Sequence, residues 1–394
     1  MSLFDKCYNF TRAEETMEMG FYPYFTPIQE VKGNRVKVDG KELIMVGSNN
    51  YLGLLDHPDV MKAAQDAVAK YGVATCGSRF LNGTLDIHVE MEERLAKFMN
   101  KEAALTFSTG FQTNLGTIST VIGRGDVVVT DRWDHASIID GCRLAHGDTL
   151  KYKHNDMKDL ERLLESLDHK ANIMIVVDGV FSMEGDLANL PKIVELAKKY
   201  NSKIMVDDAH GIGVMGKNGR GTAEHYGVED DVDLVMGTFS KSFAALGGFV
   251  VGDNKVISYI KHHARSLIFS ASITPASVAT VLATLNIIEN EPDRREKLWA
   301  ITKKMKTGFE AMGFDTGDSE SPIIPVMIGN DELGFMMWRL LREAGIFTNM
   351  VIYPAVPKGQ SLIRTSYSAT HSDEELDTVL ATFEKCGRQL GILK

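Results

Sequence analysis

The chain has 394 residues, of which 44% are hydrophobic and 24% are charged, close to the average of folded globular proteins. This length suffices for a large core without disulfides or a structural metal. The composition excludes a disordered chain, a collagen-like chain and a disulfide scaffold. Lys and Arg number 43 against 53 Asp and Glu, a formal net charge of −10. We therefore expect no nucleic-acid partner, because duplex binding depends on clustered cations.

The four cysteines, Cys7, Cys76, Cys142 and Cys386, are widely scattered and form no C-x-x-C pair. We therefore expect neither a metal site nor a redox motif. Reduced thiols are typical of the cytoplasm, which is the location we expect. The N-terminus lacks the pattern of a signal peptide, and no apolar run reaches the roughly 18 residues of a membrane span. Peripheral membrane contact stays open, since it needs only one apolar face.

The first 50 residues predict an N-terminal arm and a short hairpin, with turn signals at residues 32–34 and 39–40. Residues 51–288 alternate between short, β-branched apolar runs and segments in which apolar residues recur at helical spacing. The strand-like runs are 103–108, 127–130, 173–177, 203–206 and 232–236, and the helical segments include 156–166 and 191–200.

Apolar strands separated by helices indicate a parallel sheet that is covered on both faces. We therefore predict that residues 51–288 form a large α/β domain with a mostly parallel central sheet and helices on both faces. From residue 289 the pattern changes to longer helices around two strands. These segments are helices over 292–312, 332–344 and 373–391, and strands over 323–328 and 362–368. Residues 289–394 are therefore expected to form a smaller α+β domain.

Ligands of open α/β sheets bind at the carboxyl ends of the strands, so the residues that follow each predicted strand are candidates for the site. Lys241 follows a strand among small residues, where partial desolvation would favour its uncharged, nucleophilic amine. A solvated loop lysine is the alternative. Asp207 could pair with a protonated ring nitrogen or cap a helix. His210 could contact the same ligand or simply pack. Residues 108–114 have the character of an anion site at a helix start.

Residues 211–218 nearly match a nucleotide phosphate loop, but Asn218 stands where that motif has a Ser or Thr to bind Mg²⁺. The Gly219-Arg220-Gly221 that follows indicates a turn rather than a helix. We therefore do not expect a nucleotide site here.

Nine short motifs along the chain match, in sequence and in order, the motifs of one known family. They are SNNYLGL (48–54), GSRFLNGTLDIH (77–88), STGFQTN (108–114), DHASIIDG (134–141), DGVFSMEGD (178–186), VDDAHGIGV (206–214), GTFSKSF (237–243), FSASITPA (269–276) and PAVP with LIRTSYSATH (354–371). With these motifs the chain resembles the α-oxoamine synthase family of fold-type I pyridoxal 5′-phosphate (PLP) enzymes over nearly its whole length. Residues 77–88, 134–141 and 269–279 are most similar to bacterial members that use serine.

The resemblance implies the main cofactor contacts. Lys241 matches the lysine that binds PLP covalently and later acts as a base. Asp207 matches the carboxylate that keeps the pyridine nitrogen protonated, so that the ring accepts electrons. His135 matches the histidine that stacks on the ring and helps to orient the substrate. The resemblance therefore makes these three the catalytic residues.

Further residues match the remaining cofactor contacts. His210 matches a contact to the phenolic oxygen of PLP. Ser182 and Thr238 match hydrogen-bond partners, with Thr238 on the phosphate side. Gly110 and Phe111 match backbone donors to the phosphate.

The substrate and the partner subunit are implied in the same way. Ser270 matches a hydroxyl that reaches the phosphate of a neighbouring subunit, which implies a homodimer with its active sites at the interface. Arg364 matches the arginine that binds the amino-acid carboxylate, and Asn49 matches a polar group near it. Two functions stay open for Arg79: a contact to the substrate or CoA, or a structural salt bridge.

The implied reaction is a decarboxylative condensation of an amino acid with an acyl-CoA. L-Serine with a long-chain acyl-CoA, giving 3-ketosphinganine, CoA and CO2 in sphingolipid synthesis, is the leading expectation. The alternatives are glycine with acetyl-CoA, alanine with pimeloyl-CoA, and cysteate with a long-chain donor. A non-catalytic subunit that binds PLP or CoA is the alternative of a different class, although intact Lys241, Asp207, His135 and Arg364 argue against it.

Overall fold

The computed structural model describes residues 2–167 and 172–394. The chain forms two compact units, one of residues 49–299 and the other of residues 1–48 with 300–394. The N-terminal segment therefore belongs to the same unit as the C-terminal one. The three domains expected from the sequence, with limits after residues 50 and 288, stay a prediction.

The strands of the described residues follow in chain order. They are β1 (Glu30–Lys32), β2 (Arg35–Val38), β3 (Lys41–Met45), β4 (Ala103–Phe107), β5 (Val127–Asp131), β6 (Asp148–Tyr152), β7 (Ile173–Asp178), β8 (Lys203–Asp207), β9 (Leu234–Thr238), β10 (Gly248–Gly252), β11 (Ile323–Met327), β12 (Ile346–Phe347), β13 (Asn349–Val351) and β14 (Leu362–Ser366).

The helices are α1 (Asp5–Tyr8), α2 (Arg12–Glu18), α3 (Pro58–Tyr71), α4 (Asp86–Phe98), α5 (Gly110–Val121), α6 (Ala136–Leu144), α7 (Met157–Ser166), α8 (Leu190–Lys199), α9 (Thr222–Tyr226), α10 (Asn254–His263), α11 (Arg265–Ile268), α12 (Pro275–Asn290), α13 (Pro292–Met312), α14 (Asp331–Glu343) and α15 (Asp373–Gln389). Among these described helices, none combines the length and apolar character needed to cross a membrane.

The unit of residues 49–299 is built on a central sheet, in which seven described strands run in the order β4-β10-β9-β8-β7-β5-β6. Neighbours from β9 to β6 are parallel, and β10 is antiparallel to both β4 and β9. Every residue of β5, β7, β9 and β10 is buried. Strands that are buried throughout require cover on both faces. The predicted α/β architecture with a mostly parallel central sheet is thus confirmed.

The central sheet contains two strands that the sequence analysis did not identify. β6 is largely solvent-facing and polar along most of its length, so it lacks the apolar run of a buried strand. β10 has the sequence Gly-Phe-Val-Val-Gly, whose apolar run is only three residues long. The antiparallel direction of β10 is a property of the tertiary fold, because strand direction leaves no mark on so short a run.

The other unit contains two small sheets within its described residues. One has the order β1-β2-β3-β12, with β12 parallel to β3, and the other has the antiparallel order β11-β14-β13. The N-terminal turns lie where expected, at Gly33 (φ +56°) and Gly40 (φ +75°), although they join three strands rather than one hairpin. α15 begins with a capping box between Ser372 and Glu375. The smaller α+β part is confirmed.

Candidate active site

A cavity of about 260 Å³ lies where several elements of the central sheet end. Its walls come from the loops after β7, β8 and β9 and from the starts of α5 and α6. Eight of the residues predicted from the sequence line it together: Gly110, Phe111, His135, Ser182, Asp207, His210, Thr238 and Lys241. Segments more than a hundred residues apart in the chain therefore meet in one pocket.

One wall of the cavity is the first turn of α5. Thr109 caps this helix, since its side chain accepts a hydrogen bond from the Gln112 N–H at 3.1 Å. The first N–H groups of a helix have no partner within the helix, and the helix dipole is positive at this end. The wall formed by Gly110 and Phe111 is therefore suited to an anion such as a phosphate.

Glycine allows this helix start to lie against the sheet. A Cβ atom at Gly110 would lie 2.8 Å from Thr238 Oγ1, and one at Gly248 would lie 2.7 Å from the Gly110 Cα. Real Cβ contacts are not that short. The glycines therefore bring the backbone donors of α5 next to Thr238, on the wall where the sequence predicts the phosphate.

Asp207 ends β8 and is almost fully buried. Its Oδ1 accepts a hydrogen bond from the Ala209 N–H at 3.1 Å, and its Oδ2 accepts one from Asn114 Nδ2 at 2.6 Å. The neighbouring strand β7 ends in register at Asp178, which also lines the cavity. Burial, together with the charges of Asp207 and Asp134, raises the pKa of Asp178 well above its usual range.

His135 lies at the N-terminal end of α6 and caps it. Its Nδ1 lies 2.7 Å from Ser137 Oγ, and its backbone N–H donates to Asp178 Oδ2 at 2.9 Å. Burial lowers the pKa of the His135 imidazole, the charge of Asp207 raises it and that of Lys241 lowers it, with a lowered pKa as the result. The lowered pKa favours the uncharged form of this planar ring at neutral pH.

His210 follows β8 and lies next to Tyr51. The Tyr51 hydroxyl is 2.7 Å from His210 Nδ1 and 3.3 Å from Asn49 Oδ1. Asn49 does not line the cavity, but Tyr51 links it to a residue that does. Asn49 is therefore one side chain removed from the cavity wall.

Lys241 is in the loop that follows β9, beside the hydroxyl groups of Thr238 and Ser240. Thr238 Oγ1 lies 3.0 Å from Ser240 Oγ and donates to the Gly247 carbonyl at 3.1 Å. The amine of Lys241, the carboxylate of Asp207 and the imidazole of His135 share one cavity. A nucleophile, an anchoring carboxylate and a planar ring are thus available to a single ligand.

Three predicted residues are not among those that line the cavity. Ser270 accepts a hydrogen bond from Gln112 Nε2 at 3.0 Å, close to the start of α5 but outside the cavity lining. Arg364 is buried in the middle strand β14 of the other unit. Arg79 forms a bidentate ion pair with Glu92, at 2.8 and 3.0 Å. For Arg79 the structure thus has the salt bridge that the sequence left as an alternative to substrate binding.

The sequence analysis missed several residues around the cavity. Asp178 and Ser240 line it, Ser137 lines it beside His135, and Asn114 joins Ser137 to Asp207 from behind. All four lie inside motifs quoted above, so their positions were available. Their side-chain directions were not, because these depend on how the strands and helices pack.

The comparison with protein families agrees with this geometry. The family model described as aminotransferase class I and II matches residues 41–383, which is most of the chain. The chain belongs to this family. Within it, the branch predicted from the motifs, the α-oxoamine synthases, is confirmed, and PLP is the cofactor of that branch.

Three family members show the degree of similarity. A serine palmitoyltransferase of Sphingobacterium spiritivorum is 50% identical over 99% of this chain and 98% of its own length. An 8-amino-7-oxononanoate synthase of Thermoanaerobacter pseudethanolicus is 44% identical over 97% of each. A solved variant of the serine palmitoyltransferase of S. paucimobilis, with PLP and myriocin bound, has a TM-score of 0.96 at 37% identity and covers all of both chains.

The cavity of this aminotransferase-family chain fits PLP on its own chemistry. The glycine at position 110 lets the first turn of α5 lie against Thr238 on the cavity wall, where its backbone N–H groups suit a phosphate. Asp207 offers a buried carboxylate to a ring nitrogen, His135 offers a ring face, and Lys241 offers an amine to an aldehyde. Each functional group of the cofactor thus has a chemically matched partner among the lining residues.

Proposed function

We propose that this chain is a PLP-dependent acyltransferase that condenses L-serine with palmitoyl-CoA to 3-ketosphinganine, CoA and CO2. The observation that carries the proposal is the single cavity that contains Lys241, Asp207 and His135. Similarity to a serine palmitoyltransferase over almost the entire length of both chains supports the choice of serine. The oxononanoate synthase, at 44% identity, is the reason for testing alanine with pimeloyl-CoA as the alternative.

Each side chain of the cavity has a proposed task. When bound, PLP supplies an electron sink for the negative charge that develops at the substrate Cα. Asp207 holds a proton on the ring nitrogen, and His135 covers the ring face. The backbone donors at Gly110 and Phe111 bind the phosphate, together with Thr238. Lys241 holds the cofactor until the amino acid replaces it.

Lys241 then acts as the base. Its freed Nζ takes the proton from the substrate Cα and returns a proton at the end of the reaction. The uncharged amine is the form that does this. Ser182 and His210 orient the cofactor by hydrogen bonds, as their family matches imply.

The substrate carboxylate needs a cation. Arg364 is the proposed partner, because a guanidinium can bind a carboxylate through two parallel hydrogen bonds. Asn49 is proposed to assist it. Arg364 itself is buried on strand β14, all of whose residues are buried.

We propose a cytoplasmic homodimer. Large apolar side chains are exposed beside the cavity: Phe111 and Leu246 on its lining, and Phe269 next to Ser270 with 75% of its surface exposed. A second subunit would cover them and bring its Ser270 to the phosphate. The four cysteines are free thiols, which suits a reducing compartment.

A substrate matrix tests the reaction. The PLP-loaded protein is incubated with serine, glycine, alanine or cysteate, each combined with palmitoyl-CoA, acetyl-CoA or pimeloyl-CoA, and the released CoA thiol is measured. We expect serine with palmitoyl-CoA to give the highest kcat/KM. Higher turnover with alanine and pimeloyl-CoA, or with glycine and acetyl-CoA, would refute the serine assignment. No thiol release from any pair would favour a non-catalytic subunit.

The Lys241→Ala variant is the control for the site. It removes both the covalent attachment point and the base, so we expect thiol release to fall to background with every pair. Activity that persisted in this variant would contradict the role of Lys241.

A further inference from the structure

Asn114 is a fully buried residue on α5, behind the cavity wall. Its Nδ2 donates to Asp207 Oδ2 at 2.6 Å and to Ser137 Oγ at 2.8 Å. Ser137 Oγ in turn lies 2.7 Å from His135 Nδ1. One amide thus lies between the carboxylate and the histidine that face the proposed cofactor, while it does not itself line the cavity.

The proton positions along these hydrogen bonds follow from which atoms can donate and which can accept. An amide nitrogen only donates, so Ser137 Oγ must accept from Asn114. The hydroxyl can donate its own proton to His135 Nδ1 or accept a second hydrogen bond from it, and the backbone of Ser137 distinguishes the two cases. The Ser137 backbone N–H approaches the same nitrogen at 3.3 Å. Nδ1 is therefore an acceptor, and the ring proton of neutral His135 is on Nε2.

The orientation of the amide is determined by Asp207. With its oxygen and nitrogen exchanged, Asn114 would place Oδ1 2.6 Å from a carboxylate oxygen, where two acceptors repel each other. In the observed orientation Oδ1 is buried without a hydrogen-bond partner among the described residues. A buried acceptor without a partner is destabilising, so this amide is not accounted for by stability alone.

We infer that Asn114 is a positioning residue: it holds the Asp207 carboxylate toward the cofactor and, through Ser137, keeps His135 in the tautomer protonated at Nε2. The inference rests on the proposed function for the identity of the ligand. Asn114 acts through its neighbours. One side chain therefore positions both the Asp207 carboxylate that faces the ring nitrogen and the His135 imidazole on which the ring stacks.

The tautomer is measured directly in protein without PLP. Histidine labelled with ¹⁵N in the ring distinguishes protonated from unprotonated nitrogens, and a His135→Gln variant assigns the signal. We expect an unprotonated Nδ1 and a protonated Nε2 in the wild type. Ser137→Ala removes the hydroxyl that donates to His135 Nδ1, and Asn114→Leu removes the amide that orients this hydroxyl. We therefore expect mixed tautomers of His135 in both variants. A protonated Nδ1 in the wild type would overturn the inference, as would no change in both variants.

The affinity for PLP tests the contact between Asn114 and Asp207. Asn114→Leu removes a hydrogen bond to a charged group, so we expect PLP to bind at least about tenfold more weakly. Ser137→Ala leaves the bond to Asp207 intact, so we expect it to lose less PLP affinity than Asn114→Leu does. Equal losses in the two variants would show that Asn114 does not act on Asp207 separately.

Thr117→Val is the matched control. Thr117 lies one turn further along α5, is fully buried, and its hydroxyl has no hydrogen-bond partner among the described residues. We expect unchanged PLP affinity and an unchanged His135 tautomer. If Asn114→Leu does not fold by circular dichroism, Asn114→Asp keeps the shape and replaces the donor by an acceptor, with the same loss of affinity expected. Tight PLP binding by that folded variant would overturn the inference.

Neither readout needs turnover. A protein that binds PLP and has the expected tautomer, but releases no thiol from serine and palmitoyl-CoA, would contradict the proposed function alone. A protein that turns over serine while Asn114→Leu binds PLP normally would contradict the inference alone.

Discussion

Replacing Arg79 by methionine distinguishes the two functions that the sequence left open for this residue. The guanidinium donates to both carboxylate oxygens of Glu92, at 2.8 and 3.0 Å, and to Thr106 Oγ1 at 2.7 Å. The two charged side chains are only 7% and 11% exposed. Methionine keeps most of the apolar stem and removes the charge, so the change isolates the ion pair.

The expected loss of stability follows from what remains around Glu92. Its carboxylate keeps hydrogen bonds from the Thr106 N–H at 2.9 Å and the Thr106 hydroxyl at 2.8 Å, but it has lost its cation. Removing one partner of a buried ion pair destabilises by about 3–5 kcal/mol. Arg79→Met combined with Glu92→Gln removes both charges and keeps an acceptor for Thr106. We expect that pair to recover to within about 2 kcal/mol of the wild type.

Urea unfolding gives the free energies, and steady-state kinetics give KM for serine and palmitoyl-CoA. Arg143→Met is the control, because its ion pair with Asp140 is 75% and 41% exposed and should contribute less than about 1 kcal/mol. We expect Arg79→Met to lose stability with both KM values unchanged. A raised KM at unchanged stability would refute this reasoning and restore the substrate contact.

Three further variants test other parts of the structure. Gly110→Ala places a methyl group in the phosphate wall, and we expect PLP binding to weaken on the order of tenfold, measured by absorbance titration. Burial lowers the pKa of His154, but hydrogen bonds to Asp131 and Asp186 raise it to about 9. The charged His154 therefore stabilises the fold fully below about pH 6.5, and this stabilisation is lost as the pH rises toward 9. We expect the free energy of urea unfolding to fall over that pH range in the wild type, and this fall to be absent in His154→Gln. Phe269→Arg should convert the proposed dimer to monomers in sedimentation; a stable dimer would contradict that interface.

Much of the sheet could be predicted because its strands are chemically distinctive. Val127–Asp131 and Ile173–Asp178 are nearly continuous apolar runs, and burial on both faces is the physical reason for such a composition. The same logic pointed to Asp207 and Lys241, since a polar residue directly after a buried strand lies at the ligand edge of the sheet. These local signals made Asp207 and Lys241 candidates, and the family resemblance added the other cavity residues that the sequence analysis named.

The chain's 394 residues and its composition were enough to predict a large folded protein, and its ordered motifs were enough to indicate the family. The tertiary structure decided how these parts act together. It paired Arg79 with Glu92, oriented β10 against its neighbours, and brought Asn114 between Asp207 and Ser137. The physical reason is that composition and periodicity are local properties, whereas a hydrogen bond between residues 93 positions apart depends on how helix and sheet pack.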